Sequence, residues 1–561
     1  MAETFLDEST QIADDFIRTI SFIDDQPFFN ESEDPVNESM DHRLNAGLIT
    51  KTFAKTGKIC AFFQYKDLTE ENNVLNLSEN SDVCVIDWRI ILNDSNADKN
   101  PEKQPVDGSV AEVVAAPGAE EDVEETESRG KYALRLIEAL LRRQYNSPKL
   151  ILILTAEYDS SAIFRPISDK LAAIGIDFEH NQEGLFFQNS KSRIAIYFKE
   201  ALSTKAHISE EVKKKIVSFS SLPNVVNSEF ALLTNGLIPN VALKCISEIR
   251  ANTFTLLGSY NSSLDPAYLT HRSLLPNTND AEDHLIEIIG ADIKAIIKGK
   301  GISESVRTNS LPRYIDYKFT EPSYTLNIAE KDRFTSIDVP DQIDKAILTS
   351  IVVNGIEKTF FKNSHPMNEK MIFSKNCYRD LTLTFVANQE EANTSNIRFA
   401  MLTSLKPSYG TNSLHLSQGV ILKDDKRDGG YWLCIQPKCD SVRIETVRRF
   451  FLFLKLVKVN ENKFNIVLRE DNDYSYFKIN YQIYDSMLIP FKIDKQSNSG
   501  GVVVPEVVDG VPRFLRVDNN QKMIWIAELK NDFAQSISNN FSAQLSRVGL
   551  DLSEWLRRNS Q

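Results

Sequence analysis

The sequence lacks any apolar run approaching the ~20 residues that cross a bilayer as a helix. Cysteine is scarce, six residues in 561, scattered and without a CxxC pair. Cys434 and Cys439 stand close together but fit no usual zinc-knuckle spacing, so buried thiols in a reducing compartment are expected. Positive charge is short too. The formal net charge is −14, whereas nucleic-acid binders owe much of their affinity to Lys and Arg neutralising phosphates. No nucleic-acid partner is expected, and the run Lys213-Lys214-Lys215 reads as the solvated face of a helix. The opening MAETFLDEST is acidic where a signal peptide would be basic and then apolar. The expected location is therefore the cytoplasm, with no membrane partner. A P-loop, a nucleoside-binding glycine-rich loop, an internal repeat and a long heptad pattern are also missing.

What is present is the composition of a globular protein, 42% hydrophobic and 25% charged. The length suggests roughly three or four modules. Over residues 1–220, apolar bursts alternate with helical periodicity, which predicts an α/β fold with a doubly wound, five-stranded parallel sheet. The strands are expected at 19–23, 59–63, 83–86, 150–154 and 194–198. Helices are expected through Leu44, Leu48, Ile49 and Phe53 up to Gly57, through Ala133, Ile137, Leu140 and Leu141, and through Ile163, Ile167 and Leu171 up to Gly175. Ser209 with Glu210 and Glu211 reads as an acidic helix start. Residues 94–129 are polar and carry an acidic run at 120–127, so a disordered insertion is expected there. A mainly helical connecting region follows at 221–320, clearest at 239–250 and 280–298. A β-rich α+β domain is expected over 321–561, closing on a helix through Leu529, Phe533, Ile537, Phe541 and Leu545.

In an open parallel sheet, functional groups gather at the carboxyl ends of the strands. Here the first predicted strand ends in Asp24-Asp25, the third in Asp87, the fourth in Thr155 and the fifth in Lys199. Three carboxylates brought together repel one another unless a divalent cation sits among them, and Mg²⁺ suits oxygen ligands. A lysine and a threonine beside such an ion suit a phosphoryl group.

This arrangement resembles the receiver domains of two-component signalling, over residues 16 to about 220. The resemblance implies that Asp24 and Asp25 organise the metal. Asp87, in Val-Cys-Val-Ile-Asp-Trp-Arg, would take the phosphoryl group from a sensor histidine kinase. Thr155 would be the switch hydroxyl, Lys199 the lysine that bonds the acyl phosphate, and the carbonyl of Arg89 a backbone ligand to Mg²⁺. There are departures from the family pattern. Ile90 and Ile91 stand where a proline is common, Glu200 replaces the proline after the lysine, and Ile196 holds the place of the switch aromatic, with Tyr197 and Phe198 out of register.

In the second half, His415, Cys434, Cys439 and Asp440 read as strand-borne residues rather than a metal site. The stretches 404–410 and 433–443 are similar to large bacterial response receiver domain proteins encoded beside anti-phage defence kinases, and among them to the regulator without a fused effector. That likeness implies a separate effector and a signalling role, with at most aspartyl-phosphate autodephosphorylation as enzymatic activity. Two other readings stay open. One is an enzyme, either a metal-dependent phosphohydrolase or an effector with its active site after residue 321. A haloacid-dehalogenase-like phosphatase would need a second acid where Arg89 stands. The other is a DNA-binding regulator, for which Arg557-Arg558 offers too little basic surface.

Overall fold

The computed structural model describes residues 3–28, 43–92, 130–143, 148–200, 208–319 except 277 and 279, 344–355, 388–407, 414–425, 429–442, 448–460, 463–470, 473–493 and 501–545, with a few isolated positions. Residues 94–129 and the closing Arg557-Arg558 lie outside that set. Contacts divide the chain into two compact units, one within 1–323 and 343–363, the other within 324–342 and 364–561.

The first unit is built on a sheet whose strands are Thr19–Asp24 (β1), Ile59–Gln64 (β2), Val83–Ile86 (β3), Lys149–Thr155 (β4), Glu179–Asn181 (β5), Phe186–Gln188 (β6), Ser192–Lys199 (β7) and Ile216–Val217 (β8). Five of them run parallel in the order β2-β1-β3-β4-β7. Sequence reasoning expected those five and missed three more. The hairpin β5–β6 pairs antiparallel to the first half of β7, and β8 pairs with its end. Together they cover what would be a bare strand edge.

Both faces of the sheet are covered, so the central strands are apolar throughout. Helices Phe5–Phe16 (α1) and Ala46–Ala54 (α2) lie on one face. On the other are Glu71–Glu79 (α3), Lys131–Arg143 (α4) and Ser160–Ala173 (α5). In α4, residues 132, 133, 136, 137, 140 and 141 are buried, which is one helical face. Asp159 caps α5 by accepting from Ser161 and Ala162, and Gly175 at φ +69° follows its end. Gly130 leads into α4 at φ +79°, and an added Cβ there would lie 2.2 Å from the Trp88 ring, so only glycine fits.

Helices Leu222–Leu233 (α6), Leu237–Ser259 (α7), Asp265–Leu274 (α8), Asp280–Gly299 (α9), Leu311–Lys318 (α10) and Lys345–Asn354 (α11) complete this unit. Glu8 of α1 ties them to the sheet, accepting from Lys244 at 2.8 Å, Ser310 at 2.6 Å and Arg313 at 3.2 Å. Lys215 departs from the solvated face expected of it. Its ammonium lies 3.0 Å from Glu229, which also pairs with Arg193 at 2.5 Å and accepts from the Tyr197 hydroxyl. Burial opposes ionisation of Glu229, but the two cations and the hydroxyl outweigh it and hold the carboxyl below its ordinary range. Glu229→Ala strands Arg193 without its partner, so a loss of about 3–5 kcal/mol of stability is expected in denaturant titration. A depressed carboxylate pKa stabilises the fold above the ordinary pKa. That contribution is lost as pH falls through the folded-state value, so the wild-type margin over Glu229→Ala should shrink in acid.

Among the described residues of the second unit, helix Gln389–Ser404 (α12) precedes the first strand. The strands of this unit are Val420–Asp424 (β9), Tyr431–Cys434 (β10), Arg448–Val459 (β11), Ile466–Glu470 (β12), Asp473–Ile479 (β13), Met487–Lys492 (β14), Glu506–Val508 (β15), Val511–Leu515 (β16) and Lys522–Glu528 (β17). They form one nine-stranded antiparallel sheet. Helix Asn531–Leu545 (α13) packs Ala534, Ile537 and Phe541 on one face of it, close to the expected stripe.

Candidate functional site

Parallel pairing brings strand ends to one edge. Ile23 is level with Ile86, so Asp24 and Asp87 emerge side by side, and the Asp87 amide donates to the Ile23 carbonyl at 2.9 Å. Thr155 is level with Phe198, one residue before Lys199. Strand order reverses between β1 and β3, where open α/β sheets carry their sites.

Asp24, Asp25 and Asp87 each place a carboxylate oxygen within 4.8 Å of the others, the sole such ligand group among the described residues. The Lys199 ammonium stands 3.2 Å from Asp87 Oδ1 and 3.7 Å from Asp24 Oδ2, and its side chain is 1% exposed. Local backbone fixes the acids. The Gln26 amide donates to Asp24 Oδ1 at 2.6 Å, and the Ile91 amide donates to Asp25 Oδ2 at 3.2 Å. Gln64 holds the Asp25 carbonyl at 2.9 Å, and the Tyr158 hydroxyl donates to the Lys199 carbonyl at 2.6 Å. None of these supports carries a sequence motif; each depends on strand register.

The electrostatics are unbalanced, with one ammonium facing three carboxylates. Burial pushes the Asp87 carboxyl up to about 6; Lys199 opposes the rise and Asp24 adds to it. Asp25 is raised as well, by burial and then by the Asp24 charge. Asp24 Oδ2 is buried without a hydrogen-bond donor. An orphaned acceptor in an all-oxygen cluster with excess negative charge fits a hard divalent cation such as Mg²⁺.

Of the expected site residues, Asp24, Asp25, Asp87 and Lys199 converge. Thr155 is fully buried at its strand end, with Oγ1 accepting from the Glu157 amide at 3.1 Å. Arg89 lies two residues past Asp87 with its side chain exposed. Ile196 and Tyr197 fall on opposite sheet faces, so Tyr197 belongs to the Glu229 cluster. In the second unit Cys434 is buried and Cys439 exposed, and no metal-ligand group forms with His415 among the described residues.

Residues 16–204 match the response receiver domain family. That segment is a receiver domain. It gives the chain a response-regulator module, the kind whose typical partner in two-component signalling is a histidine kinase. No curated protein and no solved structure matches the chain. Among the described residues no helix is long and apolar enough to cross a membrane.

If the receiver's acids hold the cation, melting should report it. At a Mg²⁺ concentration ~100 times Kd, binding adds about 2.7 kcal/mol to the native state, which is roughly 5 °C in a unit of this size. Asp25→Asn is expected to lose most of that shift and to melt above wild type in metal-free buffer, because it removes repulsion with Asp24. Differential scanning calorimetry with and without Mg²⁺ checks both directions. An undiminished shift in Asp25→Asn would count against the ligand role.

Proposed function

We propose that Asp87 is the phosphoacceptor of a two-component pathway and takes its phosphoryl group from a sensor histidine kinase. The single observation that carries this reading is the Lys199–Asp87 pair beside two further acids at the carboxyl edge of the sheet. Asp24, Asp25, Asp87 and the carbonyl of Arg89 would hold Mg²⁺. Bound there, the ion would offset negative charge between carboxylate and phosphoryl oxygens. An Asp87 oxygen attacks phosphorus, the P–N bond to the kinase imidazole breaks, and the histidine leaves with a proton from solvent. Lys199 donates to a phosphoryl oxygen, and Thr155 supplies a hydroxyl once its side chain turns from Glu157. Water later cleaves the acyl phosphate and returns Asp87 to its starting state.

The pathway assigned is anti-phage defence, on the likeness of stretches 404–410 and 433–443 to regulators that lack a fused effector. In that setting the chain acts as a phosphoryl sink, draining groups that would otherwise reach a separate effector in the same locus, and it works in the cytoplasm. The direct test is intact-mass spectrometry of the full chain with Mg²⁺ and a small phosphodonor. One acid-stable, base-labile phosphoryl group is expected, and chelation of the metal should abolish it. No mass gain, with donor or cognate kinase, would overturn the reading.

A further inference from the structure

The ends of β4 and β7 hold each other through side chains at the point where their ladder stops. Phe198 sends its amide to the Lys215 carbonyl and Glu200 sends its own to the Val217 carbonyl, both on the β8 side. Backbone groups alternate along a strand, so the Lys199 carbonyl faces β4 instead. Thr155 is level with Phe198. Continued by one rung, that register sets Lys199 opposite Ala156, and in a parallel ladder its carbonyl would then take the Glu157 amide. The structure holds a different arrangement. The Glu157 amide donates to Thr155 Oγ1 at 3.1 Å, and the Lys199 carbonyl accepts from the Tyr158 hydroxyl at 2.6 Å. The Tyr158 ring stacks on Phe198, centroids 5.8 Å apart and planes at 21°, and packs against the core, so the hydroxyl is firmly aimed.

We propose that Tyr158 is a positioning residue whose hydroxyl latches the turn after β4 to Lys199 before phosphorylation and lets go when Thr155 turns to the phosphoryl group. This rests on the reading of Asp87 as the phosphoacceptor. The hydrogen bonds balance. When the Thr155 hydroxyl leaves for a phosphoryl oxygen, the Glu157 amide loses its acceptor. The Lys199 carbonyl is the acceptor that the register provides, and taking that amide frees it from Tyr158, whose hydroxyl passes to water. No buried backbone group is stranded by the exchange. Lys199 drives it from the other end. Its ammonium stands 3.2 Å from Asp87 Oδ1 and its side chain is 1% exposed. Making room for a phosphoryl group therefore moves a stem that cannot swing into solvent, and the shift passes to the backbone that Tyr158 holds. The turn runs straight into α5, whose capping residue Asp159 comes next. A bond made in only one of two states opposes the other by its own worth.

Titrating the full chain with beryllium fluoride, a mimic of a phosphoryl group on a carboxylate, in saturating Mg²⁺ tests this by calorimetry. Tyr158→Phe keeps the ring on Phe198 and removes only the hydroxyl. It should bind the mimic roughly five-fold tighter than wild type, the worth of one ordinary hydrogen bond. In a Thr155→Val background the same substitution should gain nothing, because the Glu157 amide has no Oγ1 to leave. A merely structural role would act alike in both backgrounds. If wild type binds and Tyr158→Phe binds equally or more weakly, the latch is overturned and the Asp87 reading stands. An equal gain in the Thr155→Val background overturns it as well. A wild type that takes up no beryllium fluoride removes the Asp87 reading, and the latch falls with it. Hydrogen exchange needs no variant. In wild type the mimic should slow exchange over residues 156–158 as the Glu157 amide joins the ladder, and unchanged exchange there refutes the proposal.

Discussion

Asp87→Ala protein, incubated with Mg²⁺ and a small phosphodonor, is expected to gain no phosphoryl group under conditions where wild type gains one. The effect should be complete rather than partial. Asp24 Oδ1 is held by the Gln26 amide and Asp25 Oδ2 by the Ile91 amide, whereas the partner of Asp87 Oδ1 is the Lys199 ammonium, the group that would bond a phosphoryl oxygen. The Asp87 side chain keeps 11% exposure against 3% for Asp24, which makes it the more accessible of these two to an incoming phosphorus. Lys199→Ala makes an informative companion. It removes the ammonium 3.2 Å from Asp87 but leaves the acids, so it should still label while losing the downstream consequence of labelling. Intact-mass spectra of the three proteins decide the matter. A mass gain that persists in Asp87→Ala would assign the group elsewhere.

Much of this site was legible because the receiver's central strands are short apolar bursts, each stopped by a polar residue. Val83–Ile86 is buried at every position, and a strand buried on both faces reads as a continuous apolar run. The stop at Asp87 is then plain. The hairpin β5–β6 and strand β8 were illegible for the opposite reason. They are three, three and two residues long, too short to show a period, and β5 is exposed throughout. Lys215 misled because its charge sits in a basic run, while its partner Glu229 lies 14 residues on, in helix α6. Helix α12 was not placed individually for want of amphipathic contrast: it buries only Ala392, Ile397 and Ser404. The roles expected of Thr155 and Arg89 depend on a loaded site, which neither strand pattern nor apo geometry supplies.

The second large effect is expected in cells. In a host carrying the whole locus, with kinase and effector intact, Asp87→Ala should impair growth without any phage. The reasoning starts from competition. A kinase with weak basal activity holds some phosphohistidine at all times, and whichever receiver takes the group first decides its fate. If Asp87 is the acceptor, the chain can serve by taking the group and losing it to water. Removing that carboxylate leaves the kinase, the donor and the effector in place and deletes only the drain, so basal flux should reach the effector. The opposite design, a positive relay through Asp87, predicts normal growth and lost protection for the same substitution. Colony counts of uninfected cells carrying wild-type and Asp87→Ala loci, with an effector deletion as control, separate the two. Poor growth rescued by that deletion supports the sink, and normal growth refutes it.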